Sequence, residues 1–354
     1  MNQPPLSIAI VHASANVRTG GIVKAGLSYV EGLIAAGHNV CVWTASPIFA
    51  EAAQALGATV YQDRNIRSFL SVLLHPGLLW HMIQVFLQCD GVIHNNGRLW
   101  PLAWLSGRGK HFAVFHNYSV GSRGTYAHWL SISNAQHRYL EEEARQRRWV
   151  RSVHRIRNGL SPACFEPLPT NRCKNPVPVI GFLAEIRPKK GLDCLIAAAS
   201  NLKAQGSAFK LVIGGDGSDA DKHKAEAERL GVSDHIEWRG WISEPRSFFD
   251  EIDIFCLPSR SEPFGLVMIE AMARRVPVVA SRTDGPLDLI EQSGGGLLVE
   301  IDDAEGLANA LQELLEDPQL RQSLSLKGWS YIQENFKPLQ IGHMIETAVL
   351  NVKR

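Results

Sequence analysis

The stretch DIFCLPSRSEPFGLVMIEAMARRVPVVAS, residues 253–281, decides how the chain is read. Residues 253–259 form a short apolar run closed by Pro258 and Ser259, as a buried strand would. A loop holding Glu262, Phe264 and Gly265 follows, then a helical stretch over 265–274 bearing Glu270, then a second apolar run at 276–281. Continuous apolar strands separated by helices belong to parallel sheets covered on both faces. Glu262 and Glu270 are eight residues apart, one before the helix and one about a turn and a half into it. Backbone N–H groups around Phe264, Gly265 and Leu266 sit at the helix start, where they lack intrahelical partners. Carboxylates accept from hydroxyls, and free N–H groups donate to hydroxyl or phosphate oxygens, so the loop suits a polyhydroxylated ligand. Glu270 also fits an ordinary helix-surface glutamate, but its apolar flanks make a purposeless charge there costly.

The same alternation extends in both directions. LSIAIVH (6–12), NVCVWTA (39–45), GVIHN (91–95), HFAVFHN (111–117) and HWLSIS (128–133) read as strands, with a helix over 22–36. The proline-rich segment 158–178 interrupts the pattern and reads as a linker. A second series follows at 179–184, 209–215, 235–240, 253–259, 276–281 and 295–300, with helices at 191–204, 219–230 and 265–274 and a helical tail over 302–354. The expected fold is therefore α/β: two Rossmann-like doubly wound domains, 1–165 and 175–340, with a C-terminal helix at about 340–354 returning to the first. Ligands of such domains bind at the carboxyl ends of the strands.

Composition narrows the function. The 354 residues are 45% hydrophobic and 20% charged, which fits about two globular domains. Net charge is +1, but residues 1–160 carry 15 Lys and Arg against seven Asp and Glu, net +8, and the remainder carries 21 against 28, net −7. The basic half suggests an anionic partner. Seven arginines from Arg138 to Arg157, with Trp149 among them, read either as a solvated helix face or as a patch for anionic lipid or a phosphorylated acceptor. LLWHMIQVFLQ (78–88) reads as packing on the sheet, with a dip into a membrane interface as the second reading. The longest run without Asp, Glu, Lys or Arg, 68–89, is broken at Pro76-Gly77 and is too polar for a span. Six cysteines without C-x-x-C spacing, and a start that lacks a basic segment, point to a reducing cytoplasm. Thirteen histidines show no metal spacing, and nothing resembles a nucleic-acid module. The dinucleotide fingerprint G-x-G-x-x-G is absent.

Two further segments carry chemistry. RTGGIVKAGLSYV (18–30) follows the first strand and opens a helix; Gly20 and Gly21 let backbone pass close to a ligand at a helix N-terminus, or form a plain turn. GFLAEIRPKKG (181–191) puts Lys189 and Lys190 at another helix start, where they favour a phosphate or form a solvated turn.

With these segments the sequence resembles the retaining GT-B glycosyltransferases of family 4, the group 1 glycosyltransferases. TGG (19–21), AAGHNVCVWT (35–44), DGVIHNNG (90–97), AVFHN (113–117), SISNAQ (131–136) and RIRNGL (155–160) look like acceptor-domain landmarks. PKKGLDCLIAA (188–198), LVIGGDGSD (211–219) and SEPFGLVMIEAMA (261–273) look like donor-domain landmarks, the last being the family's Glu-x7-Glu signature. The resemblance implies a nucleotide-binding domain at 175–340 and an acceptor-binding domain at 1–165, facing across a cleft. It also implies roles. Glu262 would hold donor-sugar hydroxyls, Phe264, Gly265 and Leu266 would touch sugar and diphosphate through N–H groups, and Glu270 would accept from ribose hydroxyls. Lys190 would bind the diphosphate and stabilise leaving-group charge, Gly20 and Gly21 would approach the phosphates, and His116 would lie near the sugar, against the reading of a bland core histidine. The family's phosphate arginine falls on Glu185, with Arg187 nearby to replace it. Arg275 stands where the family has Gly, and Asp288 matches a Glu in the loop before the last strand.

The function this implies is transfer of a sugar from a nucleoside-diphosphate sugar to an acceptor hydroxyl with retention, in cell-surface polysaccharide, lipopolysaccharide or glycolipid synthesis. The nucleotide sugar is a co-substrate and no metal is expected. The expected acceptor is a glycan, glycolipid or phosphorylated molecule, with peripheral contact at the inner face of an anionic membrane. Two alternatives share the architecture: a nucleotide-sugar epimerase or hydrolase, and a degenerate binding protein.

Overall fold

Most strands form where the sequence runs apolar without a break, and helices alternate with the strands in both halves of the chain. The computed structural model describes residues 4–15, 20–167 and 176–353. The chain divides into two units, Met1–Ser161 with Phe336–Arg354, and Pro162–Asn335.

The N-terminal unit runs β1 (Ser7–His12), α1 (Gly21–Ala35), β2 (Asn39–Thr44), α2 (Pro47–Ala55), β3 (Thr59–Gln62), α3 (Phe69–Leu73), α4 (Pro76–Gln88), β4 (Gly91–His94), α5 (Trp100–Leu105), β5 (His111–Val114), β6 (His128–Ser131), α6 (Asn134–Arg145) and β7 (Ser152–Arg155). Its strands pair in parallel in the order β3-β2-β1-β4-β5-β6-β7. One core lies under α3, α4 and α5, where Val72, Met82, Phe86 and Leu102 meet Val11 and Trp43 of the sheet. Segment 78–88 thus packs on the sheet by one face, while Trp80 and Leu87 on α4 stay exposed.

The C-terminal unit runs β8 (Val179–Leu183), α7 (Leu192–Ala204), β9 (Lys210–Gly214), α8 (Ala220–Arg229), β10 (Ile236–Gly240), α9 (Pro245–Glu251), β11 (Ile254–Leu257), α10 (Leu266–Ala273), β12 (Val278–Ser281), α11 (Asp284–Ser293), β13 (Gly296–Val299), α12 (Ala304–Glu316) and α13 (Pro318–Asn335). The parallel order is β10-β9-β8-β11-β12-β13. In both units the order reverses beside the first strand, which opens a crevice at the carboxyl ends there.

A last helix, α14 (Pro338–Lys353), belongs to the N-terminal unit and packs on α1. The two cross at glycines: a Cβ on Gly342 would stand 2.0 Å from the Gly32 carbonyl oxygen, and one on Gly32 would stand 2.6 Å from that of Pro338.

Two strands, β3 and β7, escape the sequence reading, and they are the two edges of the first sheet. Asp288, expected in a loop, lies inside α11. Arg18, Thr19, Cys173 and the middle of the proline-rich segment lie outside the described residues. Among the described residues no helix is long and apolar enough to cross a membrane.

Candidate functional site

In the C-terminal unit three loops meet at the carboxyl ends of β8, β9 and β11. The turn after β8 ends at Gly191, which caps α7 in the left-handed region at φ 66°. A Cβ there would stand 1.9 Å from the Pro258 carbonyl oxygen, so only glycine lets the turn close on the end of β11. The same turn packs on the Gly-Asp-Gly segment after β9: Ile186 N–H donates to the Asp216 carbonyl at 3.0 Å, and a Cβ on Gly217 would stand 2.1 Å from the Ile186 oxygen. Arg260 ties the turn to the next loop. Its N–H donates to the Lys189 carbonyl at 2.8 Å, and its guanidinium joins Asp193 at 2.7 Å and Asp302 at 2.6 Å.

This frame separates the two lysines. Lys189 is exposed, whereas Lys190 turns inward and its Nζ meets Glu262 Oε2 at 2.6 Å, with only 15% and 13% of the two side chains exposed. The other carboxylate oxygen of Glu262 accepts from the Gly265 N–H at 3.1 Å. Gly265, at φ 90°, opens α10, and no described side chain caps that helix. A cation, a carboxylate and a helix N-terminus therefore share one point, suited to a phosphate joined to a hydroxyl-bearing group. Gly285 supports the loop from below: its N–H donates to the Glu262 carbonyl at 2.9 Å, and a Cβ on it would stand 2.5 Å from the backbone of Phe264.

Glu270 is buried on the fifth residue of α10, at 8% exposed. The surface-glutamate reading is thereby excluded. Glu185 and Arg187 pair with each other at 2.6 Å, but both are more than half exposed. Arg275 adopts φ 56°, the left-handed conformation glycine favours, and its guanidinium lies 4.3 Å from the centre of the Trp329 ring.

In the N-terminal unit the carboxyl ends of β1, β4 and β5 bring His12, Asn95 and His116 together. His116 Nε2 lies 2.7 Å from Asn95 Oδ1, and Asn95 Nδ2 lies 2.9 Å from His12 Nδ1 and 3.0 Å from the Ile22 carbonyl. An amide oxygen only accepts, so His116 carries its proton on Nε2 and keeps Nδ1 as acceptor. Burial, with the Arg123 charge second, lowers His116 to about 3, and burial lowers His12 to about 4. Both rings are neutral at neutral pH. The Asn95–Ile22 bond ties this group to the first turn of α1, where Gly20 and Gly21 are exposed. No described side chain caps α1. A Cβ on Gly26 would stand 2.6 Å from Asn95 Nδ2, so α1 presses directly on the amide.

The structure thus gathers Lys190, Glu262, Phe264, Gly265 and Leu266 in one unit, with Glu270 a turn further along α10. It gathers Gly20, Gly21 and His116 in the other. Sequence reasoning missed Asn95, Arg260 and Gly285. The triplet Asp284-Gly285-Pro286 resembles a turn, and its glycine was a signal; Asn95 and Arg260 lie within the stretches 90–97 and 253–281 singled out above, but neither residue was picked from them. Among the described residues no cluster of His, Cys, Asp or Glu has the geometry of a metal site.

Residues 170–328 match the family described as glycosyl transferases group 1. The chain is similar to the lipopolysaccharide core biosynthesis glycosyltransferase LpsE of Rhizobium meliloti, with 31% identity over 51% of this chain and 52% of that protein. The match therefore spans about half the length of that relative. The chain is also similar to LpsD of the same organism, likewise a lipopolysaccharide core biosynthesis glycosyltransferase, at 26% identity over 79% of this chain and 80% of that one. Among solved structures, Anabaena HepE in complex with UDP and glucose superposes with a TM-score of 0.80 at 19% identity, over 98% of this chain and 100% of that one. That likeness is one of fold.

Proposed function

We propose, from the match of residues 170–328 to the group 1 glycosyl transferases and the GT-B fold shared with the structural neighbours, that the chain transfers a sugar from a nucleoside-diphosphate sugar to an acceptor hydroxyl in lipopolysaccharide or related cell-surface polysaccharide synthesis. The names of LpsE and LpsD support the biosynthetic setting. The observation that carries the reading is the Lys190–Glu262 pair beside the start of α10.

The C-terminal unit binds the donor. Lys190 and the N–H groups of Phe264, Gly265 and Leu266 meet the diphosphate, Glu262 holds the sugar hydroxyls, and Glu270 accepts from the ribose. Arg187, steadied by Glu185, adds a guanidinium, so the phosphate charge is met without a metal. The N-terminal unit binds the acceptor, to which it offers the neutral His116 and the free N–H groups at the start of α1, by Gly20 and Gly21. The bond from the anomeric carbon to the diphosphate breaks, and a bond to the acceptor oxygen forms on the same face. The acceptor proton passes to the departing phosphate, and the configuration is retained. Lys190 stabilises the charge that develops on the leaving group.

A thermal-shift screen of nucleoside diphosphates and their sugars, repeated on Lys190→Ala, tests this. A ligand at about 100 times its Kd adds about 2.7 kcal/mol to the wild type. Lys190→Ala should lose most of that shift and lower kcat about 10²-fold, as loss of a donor to developing charge does. A wild type that responds to no nucleotide, or a variant with unchanged kcat, would sink the proposal.

A further inference from the structure

The helices α3, α4 and α5 turn apolar side chains both inward and outward. Inward, Val72, Met82, Phe86 and Leu102 share one core, and α3 touches both α4 and α5. The three outer faces therefore form one surface. On it Leu70 is 67% exposed, Leu74 71%, Trp80 64% and Trp104 59%, with Leu87 and Leu105 also exposed. Trp80 and Leu87 stand two turns apart on the same side of α4. Soluble surfaces scatter large apolar side chains singly, so a cluster of this kind marks a contact.

The charge around the cluster selects the occupant. From residue 63 to residue 140 the only carboxylates are Asp63, which caps the turn bearing both arginines and accepts from the Asn65 N–H at 2.8 Å, and Asp90. Asp90 is already engaged, accepting from the Ser7 N–H at 2.7 Å and pairing with Lys353. α4 carries no charged side chain at all. Arg64 and Arg67 lie exposed in the turn that leads into α3, and neither forms an ion pair among the described residues. Apolar side chains, tryptophans and arginines outside any ion pair, with few carboxylates beside them, match one surface chemistry. Indoles settle at the headgroup level of a bilayer, and arginines meet anionic lipid phosphates just outside it.

We propose that the α3–α5 surface docks on an anionic lipid bilayer, with Leu70, Leu74, Trp80 and Trp104 entering the headgroup boundary and Arg64 and Arg67 meeting lipid phosphates. The docking is independent of the donor reading. It also moves the membrane contact away from 138–157, where Arg147 is tied to Glu143 at 2.7 Å and Arg155 donates to Asn134 at 2.6 Å.

The test is co-sedimentation of the full chain with vesicles of phosphatidylglycerol in phosphatidylcholine, against phosphatidylcholine alone. Salt is varied from about 0.1 M to about 1 M, over which the screening length falls from about 10 Å to about 3 Å. The wild type should bind the anionic vesicles about tenfold more tightly, and high salt should remove most of that preference. The variant Leu70→Ser/Leu74→Ser/Trp80→Ser should bind at least about tenfold more weakly with an unchanged melting temperature, since all three sites are exposed. Arg64→Glu/Arg67→Glu should lose the anionic preference, and Arg145→Glu/Arg148→Glu should keep it. Equal binding to both vesicles, unchanged binding by the leucine and tryptophan variant, or loss only in Arg145→Glu/Arg148→Glu would overturn the proposal. Lipid-independent self-association that the same triple variant abolishes would assign the surface to a second copy and overturn it as well.

Discussion

Asn95 offers its oxygen to His116 and its nitrogen to His12, and so fixes which nitrogen of each ring is bare. Imidazole ¹⁵N NMR should find His116 protonated on Nε2 and still neutral at pH 5, because burial and Arg123 hold it at about 3. A midpoint near the ordinary 6.5 would remove that argument. Asn95→Asp would place a carboxylate between the rings and raise both pKa values, bringing His116 into the range where activity is measured. Sugar transfer by this variant should then fall with falling pH where the wild type stays level. At this scale the sequence was informative only where a motif fixed the role. Glu262, Glu270 and Lys190 stood out because a loop, a helix start and an eight-residue spacing framed them. That Lys190 and not Lys189 turns inward depends on the contact between Gly191 and Pro258, which joins residues far apart in the chain. Asn95 acts through the ends of three strands, and no local pattern signals that.

Two adjacent arginines end the α10 element in opposite ways. Arg274 is 1% exposed, makes a two-pronged bond to Asp250 at 2.8 and 2.9 Å, and donates to the Glu166 carbonyl at 2.9 Å. Removing one partner of a buried ion pair strands the other, so Arg274→Ala should cost about 3–5 kcal/mol in urea unfolding. Arg275→Gly relieves a left-handed residue by roughly 1 kcal/mol and loses a cation–π contact worth about 0.5–1 kcal/mol. It should move the urea midpoint little. Equal costs at the two positions would refute this account of how the helix ends. Element by element, the strands with continuous apolar runs were legible. The two that were not, TVYQ and SVHR, are sheet edges, paired on one side only and half-buried, so they carry neither a continuous apolar run nor a clean alternation. α11 was hidden because Gly285 and Pro286 near its start look like a turn.

Across the whole molecule, ionisable burial is uneven. His94, His111, His12, His116 and His128 all belong to the N-terminal unit, and all five are lowered, His111 and His116 to about 3 and His12 and His128 to about 4. Burial is the first cause for each. A folded value below the unfolded 6.5 gives stability that is complete above 6.5 and is lost as pH falls toward 3–4, at up to about 1.4 kcal/mol per pH unit for each fully buried ring. Burial also lowers His137 and His154 of the same unit, and Glu31, which burial raises to about 7, acts in the opposite direction as one group against seven. In the C-terminal unit His223 is the one histidine lowered. Hydrogen exchange read by mass spectrometry at pH 7 and pH 5 should therefore show the N-terminal unit opening first on acidification. Earlier opening of the C-terminal unit would contradict this.

The return of α14 to α1 has a consequence for synthesis. On the ribosome, residues 4–161 emerge early, yet the helix that covers α1 emerges only after all of 162–335 has been made. At about 5–20 residues per second that is a delay of roughly 10–35 s. Through it, the apolar strip that Ile341, Ile345 and Val349 later cover stays open to solvent or to a chaperone. The C-terminal unit, continuous in sequence, has no such wait. The unit translated first is thus completed last, and nascent chains stalled between 162 and 335 should be protease-resistant only weakly in the half already made.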